Sequence, residues 1–149
     1  MPTGPEPKPA LLVSACLLGV RCNHRGEASP SPAVAALGER FRLVPVCPES
    51  AGGLPTPRPA AEVQSDGTVR THAGVDVTDA YRRGAHAAVA LAVAVGATAA
   101  VLKARSPSCG AHEVYDGSFK GRRIAGRGLT AAALVGVGVA VRSEEDPLP

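Results

Sequence analysis

Three cysteines of this chain, Cys16, Cys47 and Cys109, each stand just after a short apolar run that is typical of a β-strand. Each is followed by residues that turn or break the chain, namely Leu-Leu-Gly, Pro-Glu-Ser and Gly-Ala-His. If the runs are parallel strands of one sheet, the three thiols meet at its carboxyl edge, where open α/β sheets bind ligands. Ligands of a zinc finger usually come in close pairs, so this wide spacing instead suits a cluster or metal with one open coordination position.

The three thiols are compatible with more than one metal, because thiolate ligands select zinc, copper(I) or iron–sulfur clusters. Structural zinc would need four closed ligands, so Cys22 or one of His24, His86 and His112 would have to join. An iron–sulfur cluster held by three cysteines would leave one iron free to act as a Lewis acid. At this point both alternatives stay open. A thioredoxin-like role is disfavoured because the chain has no CxxC motif.

A buried cysteine can also be a small packing residue. Against this, the three cysteines lie outside their strands, in loops rich in Gly, Pro and Ser, at one predicted edge. The fourth, Cys22, could be a ligand, a free thiol or a packing residue. We expect it to be a free thiol near the site and do not count it as a ligand.

Charged and hydroxyl residues flank the thiols. Glu49 follows the second cysteine by two positions, and Ser106 and Ser108 precede the third. A carboxylate in a partly dry pocket can serve as a general acid or base. The structural alternatives are an acid favoured by a helix dipole for Glu49 and turn chemistry around a proline for the serines. The neighbouring cysteines favour the catalytic interpretation of Glu49 and Ser106.

Two arginines lie in the same loops and could contact a polar or anionic ligand. Arg58 follows a Pro-Thr-Pro turn, where it could bind an anion or brace the loop, and Arg105 directly precedes Ser106. We predict that Arg58, Arg105 and Ser108 bind substrate.

The composition predicts one domain in a reducing compartment. The chain has 149 residues and a net charge of +3, which is too mild to be a strong nucleic-acid signal. Four cysteines do not make a disulfide scaffold. The chain starts without the apolar run of a signal peptide, and its longest apolar stretch, residues 85–100, is too short and weakly apolar to span a membrane. We therefore expect a cytoplasmic protein that does not enter the membrane.

Apolar runs and turn signals predict the elements that position these residues. Strands are expected at 10–13, 41–46, 98–102 and 137–142, helices at 32–39, 77–95 and 129–135, and hairpins at 62–71 and 114–119. This order is mostly βαβα, which predicts a single-domain α/β fold. We expect a Rossmann-like open sheet of mostly parallel strands with helices on both faces. Residues 1–9 would form a flexible tail, 10–143 the domain and 144–149 an acidic tail.

Four blocks of this sequence resemble the signature of the thiouracil desulfurases. They are Ser-Ala-Cys-Leu-Leu-Gly at 14–19, Val-Pro-Val-Cys-Pro-Glu at 44–49, Gly-Gly-Leu-Pro-Thr-Pro-Arg at 52–58 and Leu-Lys-Ala-Arg-Ser-Pro-Ser-Cys-Gly at 102–110. The resemblance spans nearly the whole chain from Leu11. One departure is at positions 23–26, which read Asn-His-Arg-Gly where the family usually has an aromatic residue and then an acid before glycine.

The resemblance implies a cofactor and a reaction. It implies a 4Fe-4S cluster held by Cys16, Cys47 and Cys109, with Glu49 as catalytic carboxylate and Ser106 as catalytic hydroxyl. The reaction would replace the sulfur of a small thiolated base, such as 4-thiouracil, with oxygen and without net redox change. The alternative is a zinc or iron–sulfur binding module that has no desulfurase activity.

Overall fold

This computed structural model describes residues 6–149 of the chain, which contain eight strands and four α-helices. The strands are β1 (Ala10–Ser14), β2 (Arg42–Val46), β3 (Ala61–Val63), β4 (Val69–Thr71), β5 (Ala99–Leu102), β6 (Glu113–Tyr115), β7 (Arg123–Ala125) and β8 (Ala140–Ser143). The helices are α1 (Pro32–Ala35), α2 (Pro48–Ala51), α3 (Thr78–Val95) and α4 (Leu129–Gly136). Two 3-10 helices span Ala15–Leu18 and Ala36–Glu39.

The main sheet has four parallel strands in the order β2-β1-β5-β8. Leu12 of β1 lies opposite Val44 of β2 on one side and Ala100 of β5 on the other. The chain adds β2 on one side of β1 and later adds β5 on the other, so the direction of winding reverses at β1. Such a reversal opens a crevice at the carboxyl ends of the strands. The predicted α/β class and single domain are confirmed.

Side chains alternate between the two faces of the sheet and bury a core on each. On one face, Leu12 and Leu102 pack against the alanine-rich side of α3 and against Leu134 of α4. On the other face, Leu11, Val13 and Val101 pack with residues of α1 and the 3-10 helices around it. Helices therefore cover both faces, as the sequence pattern predicts.

The two predicted hairpins have different outcomes. The Asp66-Gly67 turn joins β3 to β4, and the two strands pair as expected. The prediction of a hairpin within residues 114–119 was wrong, because β6 pairs with β7, which begins at Arg123. Asp116 accepts hydrogen bonds from the backbone and hydroxyl of Ser118, so Asp-Gly here starts a longer loop instead of a two-residue turn.

The N-terminal segment is only partly described. The predicted flexible tail covers residues 1–9, of which 1–5 lie outside the described residues. Lys8 Nζ donates to the Gly38 carbonyl at 2.8 Å, and Arg42 N donates to the Pro9 carbonyl at 2.9 Å. Residues 8 and 9 are thus bonded to the domain beside the start of β2. Within residues 6–149, no helix has both the length and the apolar character needed to cross a membrane.

Candidate active site

The carboxyl ends of β1, β2 and β5 surround a cavity of about 430 Å³. Cys16 lies in the 3-10 helix directly after β1, Cys47 is the residue that precedes α2, and Cys109 lies in the loop after β5. All three thiols line the cavity and none forms a disulfide. The structure thus brings the three predicted ligands together from three separate strand ends.

Two glycines allow α2 to lie directly against α3. A Cβ atom at Gly52 would come within 2.0 Å of the Ala80 carbonyl oxygen, and one at Gly84 within 2.0 Å of the Pro48 carbonyl oxygen. No side chain fits at such distances, so the two backbones touch only because both positions lack one. This contact sets Glu49, in the first turn of α2, beside Tyr81 of α3.

The Glu49 carboxylate has three polar neighbours in the cavity wall. Its Oε2 accepts a hydrogen bond from Arg58 Nε at 2.6 Å, and its Oε1 accepts one from the Ser106 hydroxyl at 3.5 Å. The third neighbour is Tyr81 of α3, whose pKa is affected by the Glu49 carboxylate. Burial first, and then the negative charge of Glu49, raise the pKa of Tyr81 above its usual range. Tyr81 therefore stays neutral and is a hydrogen-bond donor.

The Ser106 hydroxyl is oriented by the backbone of its own loop. Its Oγ accepts hydrogen bonds from Ser108 N at 3.1 Å and from Cys109 N at 3.0 Å. A hydroxyl has two acceptor lone pairs and one proton. Because both lone pairs are engaged, the proton is left to be donated, and in this structure it points to Glu49.

Arg58 is buried and braces the loop that carries it. Besides Glu49, its guanidinium donates to the carbonyls of Pro55 at 3.2 Å and Cys22 at 2.8 Å, and to Thr56 Oγ1 at 3.0 Å. Burial acts to lower the pKa of Arg58, but the Glu49 carboxylate outweighs it and the pKa rises. Arg58 therefore remains a buried cation that ties the loop after α2 to the cavity.

Burial makes the thiols of Cys16 and Cys109 weaker acids than an ordinary cysteine. It raises the pKa of Cys16 from 9.0 to about 11, with Lys103 opposing in part. It also raises the pKa of Cys109 to about 12, against an opposing hydrogen bond with Ser14. A buried, protonated thiol is a poor nucleophile, whereas a bound cation compensates the charge of a thiolate. The thiols are thus better suited to be metal ligands than catalytic nucleophiles.

Cys22 also lies in the cavity wall, where we expected a free thiol. Its carbonyl accepts a hydrogen bond from the Cys47 thiol at 3.6 Å. Burial and then the neighbouring Cys47 raise the pKa of Cys22 to about 12. Among residues 6–149, no three or more His, Cys, Asp or Glu side chains are placed to share a single metal ion.

The other predicted substrate contacts differ in their placement. Arg105 lines the cavity, and its guanidinium makes two hydrogen bonds of 2.7 Å to Glu145. Ser108 is fully buried, with its hydroxyl 2.9 Å from Thr130 Oγ1, and its side chain is not part of the cavity wall. Only its backbone N–H reaches the site, through Ser106.

Two residues of the site were missed by the sequence reasoning. Tyr81 lies beside Glu49 on α3, and Ser14 Oγ accepts a hydrogen bond from Lys103 N at 2.9 Å and lies near the Cys109 thiol. Ser14 had a usable signal, because a polar residue closes an otherwise apolar strand just before the first cysteine. Tyr81 had none, since its contact with Glu49 depends on the packing of α2 on α3.

The chain is similar to known proteins over most of its length. The sequence profile of the 2-thiouracil desulfurase family matches residues 11–146. An uncharacterised protein of Bacillus subtilis (strain 168), YbbK, is 39% identical over 145 residues, which are 91% of this chain and 96% of that protein. A solved structure described as the 4Fe-4S-dependent thiouracil desulfidase TudS is 46% identical, with a TM-score of 0.86. The match covers 93% of this chain and 92% of the chain of that structure.

Proposed function

Because the chain belongs to the 2-thiouracil desulfurase family, we propose that it is an iron–sulfur enzyme that converts a thiolated nucleobase, such as 4-thiouracil, to the oxo base. One observation carries this proposal. Cys16, Cys47 and Cys109 reach a single cavity from three strand ends, and Glu49 and Ser106 line the same cavity. Ligands and proton-transfer groups are thus within reach of one small molecule.

The donor set suits a 4Fe-4S cluster held by three cysteines. Each of the three thiols is an intrinsically soft ligand of the kind that iron–sulfur clusters take. With Cys22 outside the ligand set, one iron would have no protein ligand. When bound there, the cluster supplies a Lewis acid that polarises the carbon–sulfur bond of the substrate.

The residues of the chain account for the proton movements of the reaction. Water provides the oxygen that bonds to the ring carbon, the carbon–sulfur bond breaks, and sulfur leaves as hydrogen sulfide, so no electrons are gained or lost. Glu49 Oε1, the oxygen that Arg58 does not hold, takes the two protons of the attacking water in turn and passes them to the departing sulfur, so that Glu49 ends as a carboxylate again. Ser106 donates its hydroxyl proton in a hydrogen bond to the substrate or the departing sulfur, because its lone pairs are engaged by backbone N–H groups.

The three predicted substrate-binding residues have different places in the proposal. Arg58 uses four of its five N–H donors on partners among the described residues, which leaves one donor for a substrate. Arg105 also lies in the cavity wall, but both terminal nitrogens of its guanidinium bond Glu145, so we propose no substrate contact for it. Ser108 would act only through its backbone N–H. The proposed substrate is a small thiolated base and not a membrane component. The four cysteines are free thiols, which suits the reducing environment of the cytoplasm.

The position of Cys22 supports a second candidate function. Since all four cysteines line the cavity, Cys22 could complete the coordination of a cluster that only transfers electrons. Such a protein would have no open iron and would not turn over a thiobase.

Anaerobic reconstitution with matched cysteine variants separates the two functions. We expect wild-type protein to bind about four irons and four sulfides per chain and to remove the absorbance of 4-thiouracil. Cys109→Ser should lose most of the iron and all turnover, whereas Cys22→Ser should keep both. Iron loss in Cys22→Ser together with an inactive wild type would favour electron transfer. Colourless protein that binds zinc would contradict both.

A further inference from the structure

Two consecutive acids after β8 bind the loop that carries Ser106 and Cys109, here called the serine–cysteine loop (residues 103–112). Glu144 accepts a hydrogen bond from Ala104 N at 2.7 Å and forms an ion pair with Lys103 Nζ at 3.0 Å. The next residue, Glu145, pairs with Arg105. The segment predicted as an acidic tail is thus bonded along one side of the loop.

The ion pair between Arg105 and Glu145 is bidentate. Arg105 Nη1 and Nη2 donate to the two carboxylate oxygens of Glu145, each at 2.7 Å. This fork-on-fork geometry fixes the guanidinium in direction as well as in distance. Glu113 also faces Arg105 but lies 3.9 Å from Nη1 and makes no such paired contact.

Arg105 has an unusual backbone at the point where the loop turns toward the site. Its φ of +67° lies in the left-handed region, which residues with a side chain adopt only at a cost in free energy. Such a conformation persists where surrounding contacts enforce it. Here a backbone bridge to Val114 holds one side and the Glu145 pair holds the side chain.

The conformation of Arg105 determines where Ser106 points. Ser106 follows immediately, and its Oγ lies 3.5 Å from Glu49 Oε1. The same Oγ accepts a hydrogen bond from Cys109 N at 3.0 Å. A shift in the position of Ser106 therefore also moves the backbone of Cys109. One backbone torsion therefore affects both the hydroxyl and a thiol of the site.

We propose that Glu145 is a positioning residue. Its bidentate pair with Arg105 maintains the left-handed turn and so holds Ser106 and Cys109 in the geometry that the reaction needs. The proposal rests on the proposed desulfurase function. In this proposal Arg105 binds Glu145 and not the substrate, because both terminal nitrogens of its guanidinium donate to Glu145.

A double-mutant cycle tests the role of the turn, because glycine adopts a φ of +67° without strain. In otherwise wild-type enzyme, Glu145→Gln should lower kcat about tenfold with KM unchanged. In an Arg105→Gly background, the same change should alter kcat less than about twofold, since that turn no longer needs the ion pair. Glu113→Gln, the matched control on the same arginine, should leave kcat unchanged.

Amide hydrogen exchange gives a second readout that does not require turnover. The N–H groups of Ser108 and Cys109 should exchange faster in Glu145→Gln than in wild type or Glu113→Gln. Unchanged exchange, or an equal loss of kcat in both backgrounds, would overturn the proposal. A rise in KM or loss of turnover in Arg105→Gly alone would also overturn it, because Arg105 would then act on the substrate. If no variant turns over thiouracil, the proposed function fails, while exchange still reports on the turn.

Discussion

The two oxygens of the Glu49 carboxylate have different partners, because Arg58 holds one and the other meets the Ser106 hydroxyl. Arg58 Nε binds Oε2 at 2.6 Å, and Arg58 is itself fixed by the carbonyls of Pro55 and Cys22. The Ser106 hydroxyl meets the other oxygen at 3.5 Å. A base that is oriented in this way can accept a proton in one direction without losing its ion pair.

Glutamine at position 49 keeps the shape of the side chain but removes the proton acceptor. We expect Glu49→Gln to lower kcat roughly 10²–10⁴-fold, the usual contribution of general acid–base catalysis. Iron content should stay at the wild-type value, because Glu49 is not a predicted ligand. Desulfuration of 4-thiouracil and iron per chain are the measurements.

The matched control for this variant is Glu39→Gln, which changes an exposed acid at the end of the 3-10 helix Ala36–Glu39. It should retain both rate and iron. A wild-type rate in Glu49→Gln would refute the assigned role. Loss of iron in that variant would instead mean that Glu49 supports the cluster.

Among the elements, the contact between α2 and α3 has the least tolerance for change. Pro48 and Gly52 of the α2 region meet Ala80 and Gly84 of α3 through backbone atoms. Because α2 follows β2 directly, this contact sets both the direction in which Glu49 leaves the sheet and its approach to Tyr81.

Alanine at position 84 would place a methyl group 2.0 Å from the Pro48 carbonyl oxygen. Relief of that clash moves α2 away from α3, and overpacking of this kind costs about 1–3 kcal/mol of unfolding free energy. We expect Gly84→Ala to lower the denaturant midpoint and also kcat, since Glu49 moves with α2.

Gly136→Ala is the control for Gly84→Ala. Gly136 ends α4, and a Cβ atom there meets nothing within 4 Å. The control should keep the wild-type midpoint or raise it slightly, because alanine favours helix. Equal midpoints for the two variants would mean that α2 and α3 do not pack as closely as described.

At the scale of the whole molecule, a cluster would join three strand ends of one sheet and so stabilise the fold. A group that binds only the folded chain raises its stability. The bound form needs thiolates, whereas in the cluster-free chain burial keeps the Cys16 and Cys109 thiols protonated, since the pKa of Cys16 is raised to about 11 and that of Cys109 to about 12. Loading the site therefore releases protons.

Release of protons makes the stabilising effect of the cluster depend on pH. The Cys16 and Cys109 thiols have higher pKa values in the folded chain than the ordinary value of 9.0, so they stabilise the cluster-free fold at pH values below 9.0. This stabilisation is lost as the pH rises through their pKa values in the folded chain, about 11 and about 12. The difference in Tm between loaded and cluster-free protein should therefore increase from about pH 6.5 to about pH 8.5. Anaerobic calorimetry at both pH values measures it, and a difference that shrinks with pH would contradict the prediction.

The sequence by itself determined the parallel α/β class, the strand ends that carry Cys16, Cys47 and Cys109, and the family. These follow from short-range features, namely apolar runs, Pro and Gly turns and motif blocks, which act within a few residues. The hairpin at 114–119 was wrong because the Asp-Gly signal is the same for a tight turn and for the start of a longer loop. Local pattern alone does not separate the two.

Only the tertiary structure decided which residues meet. Ser106 reaches Glu49 across 57 positions of the chain and Arg105 reaches Glu145 across 40. Such contacts depend on the strand order β2-β1-β5-β8 and on the approach of α2 to α3, which no local pattern encodes. The same packing turns the Ser108 hydroxyl toward Thr130 and brings Tyr81 to the site. Residue types thus indicate the chemistry, while long-range packing selects the atoms that can perform it.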